Sequence, residues 1–180
     1  MQKIDVIEYL PTIIGELKKG VLLNTKNGDK INSMTICWGQ VGIEWGKLIF
    51  TAYIRHGRFT HEQIEASKEF TISIPTDKIN RMESAKTIGY CGTRSGREIN
   101  KLETYGLTVV DGQSVNSPAI KEIPLTLECK VIYQQEQDTD KIPQEIKDEC
   151  YPQDVPSEDP RANKDFHTVD YGQIVNAYIL

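Results

Sequence analysis

From residue 20 onward, apolar and small polar positions alternate in short runs separated by turn residues, a pattern that predicts a chain built mainly of strands. The runs VLLNTK and KINSMTICW flank Asn27-Gly28-Asp29. Asn-Gly between two such runs predicts a hairpin on a type I′ turn, because both residues tolerate positive φ. Residues 47–55 (KLIFTAYIR) are apolar and aromatic enough for a central strand, and residues 70–75 (FTISIP) alternate and stop at proline as a half-buried strand does. Further strand-like runs occur around 107–111 and 125–134. The chain ends in FHTVDYGQIVNAYIL, where Ile174, Asn176 and Tyr178 alternate with Val175, Ala177 and Ile179.

Helical signals are shorter. Thr60 followed by Gln63 has the form of a capping box and predicts a helix over 60–68. Ser95 followed by Glu98 repeats it, predicting a helix that runs to about Tyr105 and closes at Gly106. Residues 76–88 also read as helical, although Asn80 and Ser84 are weak helix formers. Many strands that do not alternate regularly with helices predict a mainly β fold with short helices, an antiparallel barrel or sandwich.

Length and charge then narrow the field. At 180 residues and 20.4 kDa the chain is expected to be a single domain over 1–180. A net charge of -5 disfavours a dedicated electrostatic binder of nucleic acid or anionic membrane, so any phosphate contact must be local. The acidity is uneven. Residues 135–165 hold ten acids, four prolines and four bases (Lys141, Lys147, Arg161, Lys164), which leaves 17 basic and 16 acidic residues elsewhere. That segment is expected to be an inserted surface loop with at most one helical turn. Glu8, Pro11 and Glu16 interrupt any leader-like apolar run at the amino terminus, and nothing approaches the roughly 18 apolar residues of a membrane span. Cys37, Cys91, Cys129 and Cys150 show no CxxC spacing, so no zinc or dithiol motif is signalled and a reducing cytoplasm is the expected compartment.

Three constellations offer chemistry. Asn32-Ser33-Met34-Thr35, with Trp38, forms a polar strand end able to hydrogen-bond a planar heteroaromatic ring; the alternative is an ordinary strand end with Trp38 in the core. Arg55, Arg58 and Thr60 place two guanidiniums at a helix start, suited to phosphate, or else paired with acids such as Glu62 and Glu65. Gly89 to Lys101 combines three glycines, Ser95, Arg94, Arg97 and Lys101 into an anion nest that has neither P-loop nor GxGxxG order. Cys91 beside it is either a thiol of lowered pKa or a small core residue. His167 opens the last strand, and no HExxH, histidine–cysteine cluster or GxSxG elbow exists to support a hydrolase.

In this order, Asn32-x-Met34-Thr35, Arg55-x-x-Arg58-Phe59-Thr60 and Cys91-Gly92-Thr93-Arg94-Ser95-Gly96-Arg97-x-x-x-Lys101 resemble the flavin reductase-like, FMN-binding split-barrel family, and especially its flavoredoxin-type members. The PAIKEIPLTLEC stretch and the late His167 and Gly172 extend the likeness over nearly all of 18–180. The resemblance implies a six-stranded split barrel, dimeric, binding FMN non-covalently. By position, Asn32, Ser33, Met34 and Thr35 would line the ring edge and ribityl chain, and Trp38 would wall the ring. Arg55, Arg58, Thr60, Ser95, Gly96 and Lys101 would supply phosphate and ribityl contacts, and His167 would lie near the redox-active face. The implied activity is that of an FMN-dependent oxidoreductase, a flavin reductase or flavoredoxin-like electron carrier, with NADH, NADPH or an electron-carrier protein as donor. The alternatives are a non-catalytic flavin-binding module and a β-barrel interaction protein that grips a basic partner with the acidic loop.

Overall fold

In the computed structural model, which describes residues 1–76, 81–153 and 165–180, the chain folds around one antiparallel sheet. The strands are β1 (Gln2–Lys3), β2 (Val21–Asn27), β3 (Lys30–Ile36), β4 (Gly39–Glu44), β5 (Lys47–Arg55), β6 (Glu69–Ile74), β7 (Val109–Val110), β8 (Ala119–Ile120), β9 (Leu125–Glu136) and β10 (His167–Ile179). Five helices punctuate them: α1 (Val6–Leu17), α2 (Phe59–Ser67), α3 (Arg81–Thr93), α4 (Lys101–Tyr105) and α5 (Gln144–Cys150). The sheet order is β3-β2-β6-β9-β10-β5-β4, with β1 on β10 and a separate β7-β8 pair. This is the antiparallel split barrel with short helices. The six strands implied by the resemblance become eight in the main sheet, because β1 and β4 join it. Among the described residues no helix is long and apolar enough to cross a membrane.

The core is the inner face of this sheet. Leu23, Phe50, Ile54, Phe70, Ile72 and Leu127 are fully buried, and Ile13 and Leu17 of α1 close one end. Helix α1 starts where the Asp5 carboxylate accepts the Ile7 amide at 2.9 Å, and it keeps Pro11 in its interior. A second cluster around Leu22, Ile88, Cys91 and Leu102 holds α3 and α4 against the back of β2. Between the two sides of β2, Asn24 donates to Thr71 at 3.0 Å and Ser73 at 2.9 Å and accepts from Ser33, so the polar atoms buried there pair with one another.

The turns differ in detail from the sequence pattern. The β2–β3 turn is centred on Gly28-Asp29, with Gly28 alone at positive φ (58°), which has the sign pattern of a type II′ rather than a type I′ turn. The type I′ sign pattern occurs instead at Trp45-Gly46 between β4 and β5, where φ is 50° and 69°. Neither capping box forms. Arg58, not Thr60, is the N-cap of α2, because Thr60 turns inward to accept from Asn32 Nδ2 at 2.8 Å. Ser95 lies in the loop after α3, its hydroxyl accepting from the Arg97 amide at 3.2 Å, and Asn100 caps α4 through the Glu103 amide. Helix α3 therefore contains Gly89 and Gly92, which the sequence pattern assigns to a loop. The expected helix over 76–88 has residues 77–80 outside the described residues. The acidic segment forms a 3₁₀ turn (Thr139–Lys141) and α5, more than the single turn expected; its residues 154–164 lie outside the described residues.

Candidate functional site

Strand register sets up the site. In the β5–β10 ladder Arg55 stands opposite His167, so the last residue of one strand and the first of the other share one rim. Strand β3 brings Asn32 and Met34 to the site on one face and Thr35 on the other, where its hydroxyl donates to the Ile88 carbonyl of α3; α2 starts after three intervening residues beyond β5, and α3 and α4 pack across β3. Two adjoining cavities result. The smaller, about 230 Å³, is lined by Met34, Thr35, Trp38, Tyr53, Arg55, Arg58 and His167, among others. The larger, about 440 Å³, is lined by Asn32, Met34, Thr35, Arg58, Thr60, Ser95, Gly96 and Lys101, together with residues 57–59, 91–94, 97 and 98. Met34, Thr35 and Arg58 belong to both, so the two form one continuous groove with an aromatic end and a cationic end.

At the cationic end, Lys101 is buried and donates from Nζ to the Cys91 carbonyl at 3.1 Å, while burial pulls its pKa down. The N-terminus of α2 faces this cavity through residues 57–60 and carries no side-chain cap; the Gly57, Arg58 and His61 amides are bonded to Asp165, Arg55 and Arg58, so among the described residues the Phe59 and Thr60 amides are those open to an anion. Gly96 is required by close approach: a Cβ there would meet Asn32 Oδ1 at 2.2 Å and Phe59 at 3.1 Å. Asn32 Oδ1 is buried and has no hydrogen-bond partner among the described residues, although its amide nitrogen is spent on Thr60. A buried acceptor without a donor costs roughly 1–3 kcal/mol and calls for a ligand group that donates. An orphaned acceptor, an uncapped helix start and a buried ammonium suit a molecule carrying both hydroxyl or N–H donors and a phosphate.

At the aromatic end, His167 is buried against Trp38, with ring centroids 5.1 Å apart, and against Tyr53 and Tyr151. The Tyr151 hydroxyl lies 3.1 Å from Gln137 Oε1 and 2.9 Å from His167 Nδ1, which is itself 3.3 Å from Gln137 Oε1, so the three groups form one hydrogen-bonded cluster. Burial, reinforced by Arg55, His56 and Arg58, lowers the His167 pKa to about 4, so the imidazole is neutral at pH 7.

All but one of the residues expected from sequence line this groove. The exception is Ser33, whose fully buried side chain faces the other side of β3 and donates to Asn24; its hydroxyl is not a cavity group. Arg55 also differs from expectation. It lines the aromatic cavity, its guanidinium donating to the backbone carbonyls of Asp165 and of Cys150 (3.2 Å) and lying 5.0 Å from the Tyr151 ring, so the acidic segment and not the anion nest holds it. Ser95 and Gly96 contribute as loop residues, not as a helix start. Cys91 is a core thiol, its pKa raised by burial. Tyr53 and Tyr151 were not anticipated. Tyr53 shares the β5 face of Arg55 by period-two alternation and was legible on that ground, whereas Tyr151 arrives from a segment without periodic signal.

A family model described as "Flavin reductase like domain" matches residues 15–179. The chain belongs to the flavin reductase-like family. A curated relative from Archaeoglobus fulgidus, described as an uncharacterized protein, is 36% identical over 104 residues, covering 58% of this chain and 55% of the relative; the match spans about half of that protein's length. Among solved structures, the flavoredoxin of Desulfovibrio vulgaris (Miyazaki F) superposes with a TM-score of 0.66 at 23% identity over 89% of this chain and 69% of its own. An FMN-binding domain of a flavin reductases-like enzyme from Shewanella baltica OS155 superposes at 0.65 and 16% identity, covering 99% of this chain and 78% of its own. At these identities the likeness establishes the split-barrel fold.

Proposed function

We propose that the chain binds FMN non-covalently along the groove and acts as an FMN-dependent oxidoreductase, taking electrons from NADH, NADPH or an electron-carrier protein and passing them to a second acceptor. The observation that carries it is the unpaired Asn32 Oδ1 facing Gly96 in the cationic cavity, which adjoins the aromatic one. FMN, when bound, supplies hydride acceptance and one- or two-electron delivery, chemistry that no side chain here provides. Lys101, Arg58, Ser95 and the α2 N-terminus would hold its phosphate, and Asn32 would accept from its donors. Trp38, Tyr53 and Met34 would wall the ring. His167, neutral at pH 7, would present an uncharged imidazole to whatever occupies that end. The monophosphate is favoured over a dinucleotide by the naming of the Shewanella domain as FMN-binding.

The contacts of the acidic segment with two residues that line the aromatic cavity, the Cys150 and Asp165 carbonyls on Arg55 and the Tyr151 hydroxyl on His167, favour a role beside the site over a partner-gripping one. All four cysteines are free thiols, which supports a reducing compartment such as the cytoplasm, and a homodimer is the assembly the family resemblance implies. Anaerobic titration of the FMN-loaded protein with NADH, NADPH and reduced ferredoxin tests the activity. Bleaching of the flavin absorbance by one of the three is expected; a flavin that none of them reduces would leave only a flavin-binding module.

A further inference from the structure

On the outer side of the rim, away from the groove, His56, His61 and Glu136 each offer a ligand atom, and these atoms all lie within 4.8 Å of one another. The chain has three histidines in all, and two of them meet here with a carboxylate. They come from three separate places in the fold: the turn after β5, the first turn of α2 and the end of β9. His56 Nε2 already contacts Glu136 Oε2, and the two imidazoles lie edge to face with centroids 5.4 Å apart. The buried Thr168 supports the arrangement from behind. Its hydroxyl donates to Glu136 Oε1 at 2.7 Å and bonds His61 Nε2 at 2.9 Å, the kind of outer hydrogen bond that orients metal ligands.

The geometry points to a divalent transition-metal site built from His56, His61 and Glu136, with water completing the coordination. Two imidazoles and one carboxylate suit zinc and its neighbours far better than calcium or magnesium, which take oxygen ligands. In a tetrahedral zinc site with bonds of about 2.0–2.1 Å, ligand atoms stand about 3.3 Å apart. Small side-chain rotations suffice to reach that spacing, because His56 and Glu136 are exposed and His61 half-buried. The cation would take the place of the direct contact between His56 Nε2 and Glu136 Oε2. It would also tie the β5–α2 turn, which carries Arg55 and Arg58 into the groove, to the end of β9.

The test uses the full chain, treated with chelator, dialysed and free of flavin, so that its outcome is independent of the FMN proposal. Zinc chloride is titrated by calorimetry and the thermal midpoint is followed. One equivalent binding at micromolar or lower Kd is expected, with a rise in the midpoint that EDTA reverses. His61→Ala and Glu136→Gln should each weaken binding at least tenfold while leaving the metal-free midpoint within a few degrees of the parent. No saturable binding, or binding of equal strength in both variants, would overturn the site; the latter would mean an adventitious ion only.

Discussion

Lys101 and Gly96 show how single residues decide what the groove accepts. A buried ammonium is expensive unless something shares its charge, and one backbone carbonyl from Cys91 is a modest partner for it. Gly96 matters for a different reason, since any side chain there collides with the amide oxygen that the ligand is expected to use. Gly96→Ala should therefore weaken FMN binding at least tenfold while lowering stability by no more than about 1–3 kcal/mol, the usual overpacking cost. Fluorescence titration with FMN and urea unfolding check the two parts. Asp170 offers a second residue-scale outcome. It is buried on β10, bonded to Gln134 at 2.6 Å, and burial lifts its pKa to about 7. The folded state thus holds a proton that the unfolded chain loses near pH 4, and stability falls as pH rises from about 4 through 7. His167 has the opposite sign: with a folded pKa of about 4, stability is lost as pH falls from about 6.5 to 4. The two slopes oppose each other between pH 4 and 6.5. Asp170→Asn should remove one, leaving a variant more stable than the parent at pH 8 by on the order of a few kcal/mol and losing that advantage toward pH 4. Urea midpoints at pH 5 and pH 8 decide it; an unchanged difference between the two proteins would contradict the assignment.

At the scale of elements, the strands that alternate cleanly were legible and those that do not were missed. β5 and β6 read directly from their apolar faces, whereas β4 (GQVGIE) hides behind two glycines and follows an exposed Cys37-Trp38. Helix α1 was invisible for a similar reason, since Pro11 and Gly15 interrupt it, and it persists because Val6, Ile13 and Leu17 pack on the sheet. Pro11 lacks the amide that would bond the Ile7 carbonyl, and its side chain is exposed. Pro11→Ala should therefore stabilise the protein by about 1–3 kcal/mol, read as a higher urea midpoint at unchanged slope. The Thr60–Gln63 capping box failed because tertiary contacts claimed its residues: Asn32 took Thr60, while Gln63 turned to Thr25 and the Lys30 carbonyl; Ser95 instead bonds the Arg97 amide within its own loop, and Asn100 caps α4. Local capping signals lose to a strand that can satisfy the same side chain in the core.

Across the whole molecule, order along the chain carried more information than any single motif. Three polar constellations separated by strands and helices converge on one groove because β3, the β5–α2 turn and the α3–α4 loop meet on one side of the sheet. The part that sequence could not supply was the path of the acidic segment. It has no periodicity, yet it brings Tyr151 onto His167 and backbone carbonyls onto Arg55, and so moves that arginine from the phosphate end to the aromatic end. The excess acidity of the sequence is concentrated in residues 135–165, and the groove is locally cationic. The most direct test of this account is titration of the purified protein with FMN, followed by flavin absorbance and fluorescence, in parent and Lys101→Ala. One FMN per chain with a perturbed visible spectrum, weakened at least tenfold by the substitution while the fold is retained, is the predicted result. Absence of saturable FMN binding to the parent, or equal binding by the variant, would contradict it.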